Sequence, residues 1–140
     1  MATIIEFLVR LKRRVGEAVT GSSRALASAL RDRSSANERA LTLLEEHLSD
    51  TQRSQFADHG FFEVFGSQSG ARYRIYQRRP VNVFELNSDG WIVRSWCFYP
   101  IGRLPLGDVL LAQKIALEHF ERDALAVANE IRTFGIRVAP

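Results

Sequence analysis

Residues 61–98 read FFEVFGSQSGARYRIYQRRPVNVFELNSDGWIVRSWCF, and their apolar side chains recur with a period of two. Aromatic and β-branched residues dominate four runs, which predicts strands at 61–65, 72–77, 81–86 and 91–98. Clusters of glycine, serine, asparagine and proline separate these runs and predict turns. Because links this short join neighbouring strands as hairpins, the four strands are predicted to form an antiparallel meander.

Two capping patterns precede the strands. Ser35 and Glu38 have the spacing of a capping box, in which a hydroxyl and a carboxylate bond to the free amides at the start of a helix. Ser49 and Gln52 repeat this spacing and predict a second, short helix, for which Gly60 is the expected end. Two helices are therefore expected ahead of the sheet.

A long helical pattern follows the strands. Apolar residues at helical spacing continue from about residue 106 to Ile131, with a break expected near residues 121–123 and an end at Gly135. The predicted fold class is therefore α+β: a four-stranded antiparallel meander flanked by N-terminal helices and a long C-terminal helix, with helices on at least one sheet face.

Composition and charge divide the chain into two parts. It has 140 residues, 46% hydrophobic and 25% charged, which is typical of one soluble globular domain. Its formal net charge of +3 is uneven, because residues 1–34 carry seven basic and three acidic side chains. We therefore expect a basic amphipathic segment, 1–34, followed by a single α-β4-α domain, 35–140.

The N-terminal segment has the pattern of an amphipathic helix over residues 1–19. Its apolar side chains lie three and four positions apart, and basic side chains occupy another face. Helices of this kind bind anionic lipid surfaces, grooves of partner proteins or nucleic-acid phosphates, and they also pack on their own domain or on a second copy. The residues expected to contact a partner are Phe7, Leu11, Arg10, Arg13 and Arg14.

The second predicted strand combines basic and aromatic residues on one face. Alternation places four side chains there: Arg72, Arg74, Tyr76 and Arg78. Arg79 in the following turn and Arg94 in the fourth strand add two nearby cations. Guanidinium groups interleaved with an aromatic ring neutralise phosphates and stack on bases, as single-stranded nucleic acid requires. The structural alternative is a solvated sheet face on which arginine stems cover aromatic edges.

Enzymatic chemistry has little support in the sequence. Cys97 is the only cysteine, and a thiolate nucleophile would need a neighbouring base, for which three histidines are available: His47, His59 and His119. However, Cys97 lies in an apolar run, which predicts a buried and inert thiol. No cofactor motif or metal-ligand spacing is present, so we predict no catalytic residue, no metal and no cofactor.

Three segments resemble a group of small bacterial and phage-related proteins. They are GSQSGARYRIYQRRPVNVFEL at 66–86, CFYP at 97–100 and LPLGDVLLAQKIALE at 104–118. The resemblance covers about residues 41–131 and leaves the basic segment outside it. It implies a bacterial or phage-related source, and it implies no functional residue because no activity or ligand is known for the group.

These patterns favour a small, non-enzymatic binding module. Nucleic acid is the leading ligand, bound through the basic and aromatic strand face and the basic N-terminal helix. The alternative is a structural or interaction protein that self-associates, or docks on a protein or membrane partner, through residues 1–34. A lone cysteine and an N-terminus without a secretion cleavage site predict a cytoplasmic location.

Overall fold

The computed structural model describes residues 23–98 and 100–132. These residues form three helices and five strands, in this order: α1 (Ser23–Glu46), α2 (Asp50–His59), β1 (Phe61–Phe65), β2 (Arg72–Tyr76), β3 (Val83–Leu86), β4 (Ile92–Cys97), α3 (Leu106–Val127) and β5 (Asn129–Ile131). The predicted α+β class is confirmed.

The strands form one sheet in the order β1-β2-β3-β4-β5, and every neighbouring pair is antiparallel. The predicted meander is confirmed as β1 to β4, because each of these strands begins and ends within two residues of its predicted bounds. The fifth strand was missing from the prediction.

The C-terminal helix, α3, is shorter than predicted. It ends at Val127, and Ala128 already has extended backbone angles, with φ −80° and ψ 152°. The next three residues pair with β4 as the strand β5. The placement of Ile131 in the helix is therefore wrong, because pairing with the edge of β4 replaces the hydrogen bonds of another helical turn. The predicted helix end at Gly135 lies outside the described residues.

The first helix, α1, is longer than predicted and runs without a break across residue 35. Ser35 was expected to cap a helix start, but its Oγ donates to the backbone O of Asp32 at 3.1 Å and accepts from Arg39 Nη1 at 3.1 Å. The predicted capping box of Ser35 and Glu38 is therefore wrong. Alanine, leucine and arginine at residues 24–33 favour a helix strongly enough to extend it through the serines.

The second helix, α2, begins and ends as predicted. Ser49 Oγ accepts from the N–H of Gln52 at 3.2 Å, and Gln52 Oε1 accepts from the N–H of Ser49 at 3.0 Å, which completes the capping box. Gly60 ends the helix in the left-handed conformation, with φ 70°. This helix also covers the outer edge of β1, because Gln52 Nε2 donates to the O of Glu63 at 2.8 Å and Gln55 Oε1 accepts from its N–H at 3.0 Å.

The helices cover one face of the sheet and bury the larger core there. The buried side chains come from both layers: Leu44, Leu48, Phe56, Phe62, Val64, Tyr73, Ile75, Val83, Trp96, Leu110 and Leu117. α1 and α3 cross closely, because a Cβ added to Gly107 would lie closer than 3.0 Å to backbone atoms of Ala40 and Leu41. The opposite sheet face carries a second cluster: Phe61, Tyr76, Phe84, Leu86 and Ile92.

A kink in α3 lies at Phe120, one residue before the predicted break, with φ −139° and ψ 38°. The turn between β1 and β2 supplies hydrogen bonds that the kink removes from the helix. The N–H of Ser67 donates to the O of Leu117 at 3.1 Å, and the N–H of Arg122 donates to Gln68 Oε1 at 2.8 Å. The turn therefore stabilises the kink and ties the sheet to α3.

Candidate functional site

Arg74 and Tyr76, which were expected to face a ligand, are buried among the protein's own side chains. Arg74 is 8% exposed, and its Nε and Nη2 donate to Glu63 Oε1 at 3.0 and 2.8 Å. Its guanidinium carbon lies 4.0 Å from the centre of the Phe61 ring. Tyr76 is 9% exposed, with the rings of Phe61 and Phe84 centred 5.3 and 5.6 Å away. Arg74 therefore forms an ion pair with Glu63, and the buried ring of Tyr76 is not available to stack on a base.

Arg72 and Arg94 lie on opposite faces of the sheet. Arg72 precedes the core residue Tyr73 in β2 and so points away from the helices, and its Nη2 donates to the backbone O of Asn87 at 2.9 Å. Arg94 lies opposite Glu85 in β3, with 3.8 Å between Nη1 and Glu85 Oε2. Glu85 is in turn paired with Tyr73, so Arg94 belongs to the helix-covered face. The six predicted residues do not form one surface.

Arg78 and Arg79 are exposed in the turn between β2 and β3. The guanidinium carbon of Arg79 lies 4.2 Å from the centre of the Tyr76 ring, which orients the side chain without removing it from solvent. Neither arginine has a carboxylate partner among the described residues. The O of Pro80 accepts from Cys97 Sγ at 3.5 Å, which places this turn beside the end of β4.

Two further basic segments lie at the same end of the fold. β4 leads into the loop at 100–105, where Arg103 is exposed, and the loop leads into α3, whose Leu106 N–H donates to Asn37 Oδ1 at 3.4 Å. Residues 25–34 of α1 therefore project beyond the start of α3, and every one of them is exposed. We call this region the basic end, defined by its exposed arginines: Arg31, Arg33, Arg78, Arg79 and Arg103.

The residues predicted to contact a partner lie outside the described part of the chain: Phe7, Leu11, Arg10, Arg13 and Arg14. The described continuation of the basic segment is the projecting half of α1, residues 25–34, in which Leu26 and Leu30 are the large apolar side chains.

Within residues 23–98 and 100–132, no helix is long and apolar enough to cross a membrane.

A cluster of polar groups around a buried carboxylate lies elsewhere, where the β1–β2 turn meets α3. Glu121 is 3% exposed and accepts from Ser69 Oγ, from the N–H groups of Gln68 and Ser69 at 2.8 Å each, and from Tyr73 OH at 2.8 Å. Burial acts to raise the pKa of Glu121, but these hydrogen bonds outweigh it and leave the pKa below its usual value. Gly66 permits this approach, since an added Cβ would lie closer than 3.0 Å to the carboxylate. We call these residues the Glu121 clamp.

The Glu121 clamp pairs a serine, Ser69, with a carboxylate, as a nucleophile is paired with its base, but its geometry indicates a structural role. Ser69 Oγ donates to Glu121 as a catalytic serine donates to a base. A lowered pKa makes this carboxylate a weak base, and the turn amides that would stabilise an oxyanion already bind it. Sequence reasoning missed the clamp. The glycine and serine content of residues 66–70 was the available signal, because such turns leave amides open to an anion.

Cys97 is 4% exposed, as expected for an inert thiol. The described residues also contain no group of three or more histidine, cysteine, aspartate or glutamate side chains that could hold a metal ion.

We expect iodoacetamide to alkylate Cys97 much more slowly in the folded protein than after unfolding, because the reagent can react only when the strand opens. Mass spectrometry of timed samples measures both rates. Equal rates would show an accessible thiol and would return cysteine chemistry to consideration.

The comparisons with known proteins identify no relative. No protein-family model, curated protein or solved structure matches this chain. Among residues 23–98 and 100–132, no arginine of the basic end forms a salt bridge.

Proposed function

We propose that this protein is a non-enzymatic module that binds the phosphate backbone of nucleic acid through the basic end. The observation that carries the proposal is that three segments, 25–34, 78–80 and 100–105, lie toward the same end of the fold, because Pro80 contacts the end of β4 and Asn37 contacts the start of α3. Together they contain five arginines and a single acidic residue, Asp32. A concentration of guanidinium groups is suited to phosphates, which they contact through paired N–H donors.

The geometry favours contacts with phosphates over contacts with bases. Arg79 is held against Tyr76 and so loses little freedom when it binds. Tyr76 itself is covered by Phe61, Phe84 and Arg79 and cannot serve as a stacking platform. Binding is therefore expected to be insensitive to base sequence and to weaken steeply as salt rises.

Fluorescence anisotropy of labelled single-stranded DNA and RNA tests this proposal with the full-length protein. We expect the double variant Arg78→Gln/Arg79→Gln to bind at least about tenfold more weakly at about 50 mM salt than the wild type does. Each lost phosphate contact removes about 0.7 from the slope of log affinity against log salt, so the slope should become shallower by about 1.4. Titrations between about 50 and 200 mM salt measure that slope.

The matched control is Arg122→Gln/Arg132→Gln, which removes the same charge from two exposed arginines outside the basic end. This variant should keep most of the affinity and most of the slope. The proposal is wrong if the two double variants bind equally, or if the wild type shows no binding at low salt. Binding to anionic phosphatidylglycerol vesicles without binding to oligonucleotides would assign the basic end to a lipid surface instead.

A further inference from the structure

A pair of buried amide side chains joins α3 to the turn between β2 and β3. Gln113 is 4% exposed and lies on the core-facing side of α3, where the fully buried Leu110 and Leu117 precede and follow it at helical spacing. Asn82, at the end of the turn, is 7% exposed. Burying an amide costs free energy unless it is hydrogen-bonded, so a glutamine between core leucines needs a polar partner.

Asn82 is that partner, and the two amides bond to each other. Asn82 Nδ2 donates to Gln113 Oε1 at 2.7 Å, and Gln113 Nε2 donates to Asn82 Oδ1 at 3.0 Å. The same Nδ2 donates to the backbone O of Tyr76 at 3.2 Å, and the N–H of Tyr76 donates to the O of Asn82 at 2.8 Å. The amide pair therefore closes the turn at residues 77–81 and fixes it to α3.

The turn that the amide pair closes carries Arg78 and Arg79. The N–H of Gln77 donates to the O of Gly60 at 3.0 Å, which fixes the side of the turn next to β2. Pro80 restricts the backbone on the other side of the arginines. Both guanidinium groups thus extend from a backbone segment whose two ends are hydrogen-bonded to the rest of the fold.

Stability alone does not require amides at these two positions. Replacing both partners of a buried hydrogen-bonded pair by apolar groups of the same shape is nearly neutral for stability. Amides differ from apolar groups in that their hydrogen bonds select one mutual orientation. Because a preorganised surface loses less conformational entropy when it binds, a fixed turn binds phosphates more tightly than a loose turn of the same charge.

We infer that Asn82 and Gln113 are positioning residues for phosphate binding, because their amide pair holds the turn with Arg78 and Arg79 in one conformation. The inference rests on the proposed function of the basic end. Both amides are buried and act on a ligand only through the two arginines. Their effect on affinity must therefore disappear when the arginines are removed.

Anisotropy titrations of the full-length protein with labelled single-stranded DNA test the inference. The variant Asn82→Leu/Gln113→Met replaces both amides by apolar side chains of nearly the same shape. We expect it to bind at least about fivefold more weakly than the wild type. The slope of log affinity against log salt should not change, because every arginine is still present. In the Arg78→Gln/Arg79→Gln background, the same two substitutions should change the affinity by less than about twofold.

Two further variants separate positioning from stability. Tyr73→Phe removes a buried hydrogen bond at the opposite end of β2 and should bind like the wild type. Pro80→Gly keeps the amide pair and both arginines but loosens the exposed turn, so it should also weaken binding with an unchanged salt slope. Because Pro80→Gly leaves the core intact, it tests the inference even if Asn82→Leu/Gln113→Met does not fold.

Limited digestion with trypsin tests the turn without a ligand. Trypsin cleaves after arginine, and the bond between Arg78 and Arg79 should be cut faster in Asn82→Leu/Gln113→Met than in the wild type or in Tyr73→Phe. A wild type that binds no oligonucleotide overturns the proposed function and this inference with it. If the wild type binds, equal binding by the folded Asn82→Leu/Gln113→Met variant or by Pro80→Gly overturns this inference alone, and so do equal rates of cleavage.

Discussion

Replacing Glu121 with alanine is expected to lower the free energy of unfolding by about 3–5 kcal/mol. The carboxylate accepts hydrogen bonds from two turn amides, from Ser69 Oγ and from the buried hydroxyl of Tyr73. Its removal leaves these donors without their partner and opens space beside Gly66. Urea denaturation followed by circular dichroism measures the loss.

The exposed neighbour Asp123 provides the control for this prediction. Asp123→Ala removes the same charge from the same helix and should change the free energy of unfolding by no more than about 0.5 kcal/mol. A loss of less than about 1 kcal/mol in Glu121→Ala would mean that water replaces the carboxylate, and that the clamp adds little to stability.

The same carboxylate gives the protein an acid-sensitive component of stability. Hydrogen bonds hold the pKa of Glu121 below its usual value, so its contribution is complete above the unfolded pKa of about 4.3 and is lost as the pH falls through the folded pKa. The variant Glu121→Gln lacks this titration. The difference in unfolding free energy between wild type and variant should therefore shrink as the pH is lowered from about 6 towards 3. A difference that does not change with pH would contradict the assignment.

The sheet could be predicted because its signals are local. Alternating aromatic and β-branched residues mark β1 to β4, and the short turns between them leave one way to pair the strands. β5 has three exposed residues and no alternating pattern, so it can be recognised only from its pairing with the edge of β4 in the folded protein. The length of α1 could not be predicted from the sequence for a related reason. Ser35 fits a cap as well as a helix interior, and the helix-forming residues before it decide between the two.

The candidate site could be predicted only in part, because alternation fixes the face of a side chain and not its partner. The sheet places Glu63 opposite Arg74, and this register converts an expected phosphate contact into an internal ion pair. Arg78 and Arg79 form no such ion pair with a described residue, because they lie in a turn, beyond the last paired residues of β2. Their place at the same end of the fold as Arg103 and the projecting half of α1 follows from tertiary contacts of Asn37 and Pro80, which no spacing in the sequence indicates.

Gly107 allows α1 and α3 to cross closely. Gly107→Ala is therefore expected to lower the free energy of unfolding by about 3 kcal/mol. Replacing glycine with alanine inside a helix normally stabilises a protein by up to about 1 kcal/mol, so the predicted sign is opposite to the usual one. The reason is steric. The new Cβ would lie closer than 3.0 Å to backbone atoms of Ala40 and Leu41, which cannot rotate away, so α1 and α3 must separate.

The exposed position Ala126, in the last turn of α3, supplies the control, since Ala126→Gly changes helix preference without a steric clash and should cost no more than about 1 kcal/mol. Thermal and urea denaturation compare the two variants. A Gly107→Ala protein that is as stable as the wild type would show that the helices tolerate a wider crossing. If the prediction holds, the crossing of α1 over the start of α3 is what aims residues 25–34 beyond the domain. The same variant should then weaken oligonucleotide binding, because the arrangement of the basic end depends on the direction of α1.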